Sequence, residues 1–159
     1  MSSYIEFYIK AGDVYAPLYS ESRSGAIYQA FEYQVPSYST ARALTQRDLD
    51  EVRGELSLER QRLESNLKSS NDKLEWLKGS NLPVEERMEA YDDTKSFIDY
   101  CNEELASMAR VEHFLSFLED IMEEIKYLPD TAKRLGVDED HYIFAGIECG
   151  NPGFKDLDD

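Results

Sequence analysis

The apolar residues between Thr45 and Leu128 recur at steps of three and four, and they do so in two separate runs. The first run is Leu49, Val52, Leu56, Leu63, Leu67, Leu74 and Leu77. The second is Val84, Met88, Tyr91, Ile98, Cys101, Leu105, Met108, Leu115, Leu118, Met122 and Ile125. That period places the apolar side chains on one face of a helix, so the spacing predicts two long amphipathic helices. Between them Gly79-Ser80-Asn81-Leu82-Pro83 supplies a helix stop, a short polar turn and a proline suited to opening the next helix. A connection this short makes the two helices antiparallel.

Length mismatch then decides where the hairpin meets the rest of the chain. The first helix, over 45–79, is about 50 Å long and the second, over 83–128, roughly 65 to 70 Å. The second must run past the start of the first. Its last part, Val111 to Ile125, carries Phe114, Leu115, Phe117, Leu118 and Ile121 and is apolar on more than one face, as a segment packed against a sheet would be. Around Asn66, Ser69, Ser70, Asn71 and Glu75, and from Val84 to Asp99, only a narrow seam is apolar, which predicts a coiled-coil-like arm.

The flanking segments read as strands. Tyr4 to Lys10 alternates, with Ile5, Phe7 and Ile9 on one face and Tyr4, Glu6, Tyr8 and Lys10 on the other, the outer one. Ala11-Gly12-Asp13 makes a turn, and Val14 to Tyr19 alternates again with Val14, Ala16 and Leu18 facing in. Pro17 cannot donate to a ladder, which puts this second strand at a sheet edge. Ala26 to Tyr33 fits a helix or a strand, the short helix being preferred, and Pro36 ends it. A loop over 37–40 leads to Thr45-x-x-Asp48, a capping box ahead of the first long stripe. Pro129-Asp130 closes the second helix, Thr131 to Leu135 gives a helical turn ended by Gly136, and Tyr142 to Ile147 is a final strand able to join the N-terminal hairpin. The remainder is an acidic tail. The expected architecture is one α+β domain over 1–159: a small antiparallel sheet of about three strands carrying a long antiparallel helical hairpin. Its parts are a β-hairpin and short helix (1–44), the helical hairpin (45–128), the turn and final strand (129–150) and the tail (151–159).

Charge is distributed unevenly. The 159-residue chain carries a net −16. Residues 1–44 and 45–79 each sum to −1, whereas 83–128, with thirteen acids against four bases, sums to −9, and 129–159 to −5. This bias counts against direct nucleic-acid binding, which needs a basic face to neutralise phosphates. No apolar run reaches the ~18 residues of a membrane span and the N-terminus lacks the pattern of a signal peptide, so the expected address is the cytoplasm. Two cysteines without CxxC spacing, Cys101 and Cys149, agree with a reducing compartment.

The chain offers little to a catalytic reading. Gly146, Gly150 and Gly153 follow a strand but open no helix, and Pro152 interrupts them. His113 and His141 have no metal-ligand spacing, and the run Asp138-Glu139-Asp140 before His141 reads as a solvated charge run. Neither a cofactor nor a metal site is expected, and no catalytic residue is assigned. An enzyme would need an unrecognised carboxylate or metal site.

Two surfaces stand out as candidates for binding. Glu85, Glu89, Asp92, Asp99 and Glu103, with Asp93 beside them, recur at helical steps along the second helix, and the expectation places them next to the apolar seam. Thirteen acids over that helix give roughly one carboxylate per 5 Å, against one phosphate per ~3.4 Å along a DNA strand, so the rod could occupy a groove built for nucleic acid. The plain alternative is a solvated helix face. Tyr4, Tyr8, Tyr15 and Tyr19 belong to a tyrosine-rich N-terminal region that either packs or forms a protein-binding surface.

In size, acidity, scarcity of cysteine and lack of a catalytic motif the chain resembles phage-encoded inhibitors that imitate nucleic acid, anti-CRISPR and anti-restriction proteins among them. No motif carries the resemblance, so no residue role is transferred. It implies a non-catalytic inhibitor acting in the host-cell cytoplasm on a basic partner, a nucleic-acid-binding protein or nuclease complex. The rival expectation is a self-associating assembly protein, a homodimer formed through the seam of the hairpin.

Overall fold

The computed structural model describes residues 3–11, 14–35, 41–125 and 141–149. The expected turn at Gly12-Asp13, Pro36 with the loop after it, the close of the second long helix, the helical turn at 131–135 with Gly136, the charge run before His141 and the acidic tail lie outside those residues. In chain order the elements are β1 (Ser3–Ala11), β2 (Val14–Ser22), α1 (Ala26–Phe31), β3 (Arg42–Ala43), α2 (Gln46–Lys78), α3 (Val84–Ile125) and β4 (His141–Cys149). The protein is α+β, a small antiparallel sheet plus two long helices, and the sheet has four strands in the order β2-β1-β4-β3. The strand beyond the expected three is β3. Its two residues are too few to show alternation, and it is defined by pairing Arg42 with Ala145 and Ala43 with Phe144.

Two compact units form, one from Met1–Arg53 with Arg110–Asp159 and the other from Gly54–Ala109. In the first, β1 pairs with β4 over nine positions, setting Ile5, Phe7 and Ile9 opposite Ile147, Ala145 and Ile143. Opposed residues share a face, so these six make the apolar side of the sheet. Phe7 meets Phe31 of α1 and Phe114 of α3 edge-on, with centroids 5.1 and 4.8 Å away. Val111, Phe114, Leu115 and Leu118 are buried there, as the apolar density of Val111–Ile125 requires.

The other face of β1 is not an outer one. Glu6 and Tyr8 are fully buried, and Tyr8 stacks on Phe144, 5.6 Å away with planes 18° apart. Strand β2 departs from strict alternation as well. Phe7 pairs with Tyr19 but Tyr8 pairs with Pro17, so Leu18 is an extra residue in a bulge. One extra residue reverses which way the following side chains point. Tyr15 therefore lies against Tyr8, while Tyr19 lies on the opposite face against Phe114. Of the expected inward set, Ala16 opposes Ile9 on the apolar side but is exposed and Leu18 is half-buried, while the side chain of Val14 lies outside the described residues. Pro17 does sit on an edge strand.

Two carboxylates tie these elements together. Glu21, on β2, turns Oε2 to the first turn of α1 and accepts the N–H groups of Ile27 (2.8 Å) and Tyr28 (3.0 Å). Its Oε1 accepts the Tyr19 hydroxyl at 2.8 Å and pairs with the Arg110 guanidinium of α3. Gly25 precedes α1 without a capping side chain, and a Cβ at that position would overlap the Glu21 carboxyl. Burial, with the Glu21 carboxylate beside it, raises the Tyr19 phenol above its ordinary pKa. Asp48 plays the matching part at α2. The Thr45 N–H donates to its Oδ2 at 2.9 Å, and its own N–H returns to Thr45 Oγ1 at 3.3 Å, which completes the expected capping box. Arg42 then joins Asp48 Oδ1 to the Gln34 carbonyl, at 2.7 Å each, and so fixes β3 between α1 and α2.

The second unit is an antiparallel pair of helical segments. Leu63 of α2 packs with Cys101 and Met108 of α3, and Leu56, Leu67 and Leu105 flank them. Ser70 and Thr94 are also buried, and Thr94 Oγ1 bonds back to the Ala90 carbonyl at 2.7 Å. Val84 and Met88 prove not to be seam residues, being 60% and 61% exposed. At 100° per residue they fall about 100° to 140° round the helix from Cys101, because the intervening steps of three residues each turn the stripe back by about 60°.

The Glu21 network predicts that Glu21→Ala costs about 2–4 kcal/mol, because it strands the α1 amides and the Arg110 charge. Gly25→Ala should cost about 1–3 kcal/mol by overpacking. Urea denaturation followed by circular dichroism checks both, and a Glu21→Ala loss below about 0.5 kcal/mol would place this carboxylate with ordinary surface groups.

Candidate functional site

Helix α3 presents two kinds of surface within the Gly54–Ala109 unit. The side holding Thr94, Cys101 and Met108 is buried. Glu85, Glu89, Asp92, Asp93, Asp99 and Glu103 are all exposed. On a helical wheel these six carboxylates fall within an arc of about 120°, and the centre of their line is about 150° from the buried side. The acidic line thus backs onto solvent, opposite the seam and not next to it. The expected adjacency is corrected because it runs through Val84 and Met88, which are exposed, whereas the buried line passes through Thr94, Cys101 and Met108.

The six carboxylates also differ from other acids of the chain in their partners. Four of the eight acids of α2 pair within the helix: Glu51 with Arg47 (3.2 Å), Asp50 with Arg53 (3.8 Å), Glu75 with Lys78 (3.0 Å), and Glu59 with Arg62. In the first unit Glu119 pairs with Arg53 and accepts from Gln46 at 3.1 Å. Hydrogen bonding to Arg62 and Arg53 respectively holds Glu59 and Glu119 below the usual carboxylate pKa. Among the described residues none of the six exposed carboxylates has a cation within ion-pair distance. Six like charges spread over about 27 Å therefore keep their field.

Around this line lie large apolar side chains that the seam does not use. Trp76, Val84 and Met88 are each 60% or 61% exposed, and Phe97 and Tyr100 stack on each other with centroids 6.3 Å apart. Trp76 and the turn at 79–82 line one shallow depression, and Leu77, Lys78, Arg87, Met88, Tyr91 and Asp92 line another, open one of about 510 Å³. Lys95 sits over the Tyr91 ring at 6.0 Å. Phe97 and Tyr100 escaped the sequence reading because each is adjacent to a seam residue, Ile98 or Cys101. The signal that finds them is their position off the three-and-four stripe.

The tyrosine surface does not assemble. Tyr8 is fully buried, Tyr15 lies beside it, Tyr19 is on the opposite face of the sheet with its hydroxyl committed to Glu21, and Tyr4 is half-buried. The bulge at Leu18 is the reason.

Among the described residues no group of three or more histidine, cysteine and carboxylate side chains is placed to hold a metal ion. His113 is exposed on α3 and Cys101 is a buried free thiol. Among the same residues no helix is long and apolar enough to cross a membrane. No family model, curated protein or solved structure matches the chain.

Paired and unpaired carboxylates should respond oppositely to neutralisation. Glu89→Gln and Asp99→Asn remove like-charge neighbours at three- and four-residue spacing and should raise stability by about 0.2–0.5 kcal/mol per relieved pair at low salt. Glu119 has a folded-state pKa below its unfolded value of about 4.3, so its contribution is complete above that value and is lost as pH falls through the folded pKa. Glu119→Gln should remove that part of the acid sensitivity. Urea midpoints measured from pH 3 to pH 7 check both, and a destabilised Glu89→Gln would reveal a structural role for the acidic line.

Proposed function

We propose that the protein is a non-catalytic binding protein, and that Glu85, Glu89, Asp92, Asp93, Asp99 and Glu103 dock α3 on a basic surface of a protein partner, a groove made for nucleic acid. The observation that carries this reading is the lack of internal neutralisation. The same chain pairs Asp50, Glu51, Glu59 and Glu75 of α2 with cations of that helix, yet leaves a line of six carboxylates on the solvent side of α3 without one. An uncompensated line accelerates encounter with an oppositely charged surface and selects against acidic ones. The resemblance to nucleic-acid-mimicking inhibitors points the same way, as a likeness of composition.

A second reading, self-association, draws on the exposed Trp76, Val84 and Met88, since exposed apolar clusters mark interaction sites. Sedimentation at micromolar and tenfold higher concentration separates the two: a monomer throughout leaves the acidic-face reading in possession.

Reversing Glu89, Asp92, Asp99 and Glu103 to Lys should weaken partner capture from nuclease-treated extract by more than about tenfold and flatten its salt dependence, while the fold survives. Added DNA should displace the partner from the unmodified protein. Capture that is indifferent both to the reversals and to DNA would rule the reading out.

A further inference from the structure

Phe97 and Tyr100 present stacked rings, inclined by 26°, to solvent in the middle of an acidic helix, with 41% and 50% of their surfaces exposed. About half of each ring stays open to solvent, and neither belongs to the buried cluster of the seam. At 100° per residue Asp93, Phe97, Tyr100 and Glu104 lie within an arc of about 60°, in that order along roughly 16 Å of helix. A carboxylate thus stands one turn before the aromatic pair and another one turn after it. Asp93 is exposed and Glu104 half-buried, and neither is paired with a cation among the described residues. Arg62 of α2 is already held through two nitrogens by Glu59.

This combination suits one cation better than the other. A ring face attracts either cation through its quadrupole. Arginine, planar and weakly hydrated, can stack on a ring while its remaining N–H groups fork onto a neighbouring carboxylate, whereas the lysine ammonium is a compact, strongly hydrated charge. A second copy of the chain is the wrong occupant, since each copy carries −16 and would bring the same sign of charge to the contact.

We infer that the stripe Asp93, Phe97, Tyr100 and Glu104 receives arginine side chains of a protein partner in preference to lysine. The inference rests on α3 being the partner-binding face and narrows it. The acidic line attracts any cationic surface, and the aromatic pair with its two carboxylates selects guanidinium.

The test titrates the full chain, at fixed ionic strength, with two synthetic peptides of the same length and charge, one using arginine and the other lysine for every cation. The arginine peptide should bind about two- to fivefold tighter. Phe97→Leu with Tyr100→Leu keeps apolar area and helix propensity but removes both ring faces. That variant should lose more affinity for the arginine peptide than for the lysine peptide, so that the arginine preference disappears. Asp93→Asn with Glu104→Gln, which keeps the rings, should shrink the same ratio. Equal affinity of the unmodified protein for both peptides, or a preference that survives the leucine pair, overturns the arginine stripe and leaves the acidic-face reading standing. Binding of neither peptide overturns both.

Discussion

One carboxylate, Glu21, holds three elements of the sheet-bearing unit in register. It belongs to β2, accepts two backbone N–H groups from the first turn of α1, and pairs with Arg110 of α3. A six-residue helix cannot stabilise itself, because nucleation costs more than one turn of hydrogen bonds returns. Capping by an upstream strand residue satisfies the orphan amides that a serine or aspartate at the N-cap would otherwise take. The aromatic contacts follow from this anchoring: α1 brings Phe31 to Phe7 and α3 brings Phe114 to both. Gly25 belongs to the same device, since the volume its side chain would occupy is filled by the Glu21 carboxyl.

The long-period features of this fold are legible in the sequence and the short-period ones are not. The helical repeat covers many turns, so the bounds of α2 and α3 fall close to those expected, and the capping box at Thr45 is confirmed atom by atom. The alternation of Ile143, Ala145 and Ile147 correctly assigns β4 to the sheet. Failures arise where one residue changes the phase. The extra residue at Leu18 splits four tyrosines between two faces, and no propensity announces it. Two residues suffice for β3 because Arg42 is fixed by Asp48 and the Gln34 carbonyl and pairs with Ala145 a hundred residues on, an arrangement with no local signature. The candidate face shows the same limit: its members are readable from their spacing, whereas its angle to the seam is not, since that depends on which residues the partner helix covers.

Carboxylates do different work in the two units. Glu21, Asp48 and Glu119 are each bound by an arginine together with at least one other donor, and each joins separate elements. Such groups cannot be altered without stranding a partner, which makes them part of the fold. The six carboxylates of α3 satisfy the opposite condition. They touch no cation among the described residues and lie opposite the side that packs, so folding places almost no constraint on them. A face that the fold leaves free can change its charge pattern without loss of stability.

That freedom bears on why a narrow seam is a useful platform. A helix buried on a wide arc commits most of its positions to packing, whereas α3 in the Gly54–Ala109 unit commits chiefly the line through Thr94, Cys101 and Met108. The remaining arc is wide enough to hold a line of carboxylates and, beside it, the stacked pair of Phe97 and Tyr100. Long-range attraction falls off over the Debye length, about 8 Å at physiological salt, so the carboxylates act first and act on any cationic surface. Ring faces act only in contact and discriminate by shape and hydration. On the proposed reading, placing both on one helix would turn a nonspecific electrostatic encounter into a selective one, with selectivity carried by positions that neither the seam nor the charge count requires.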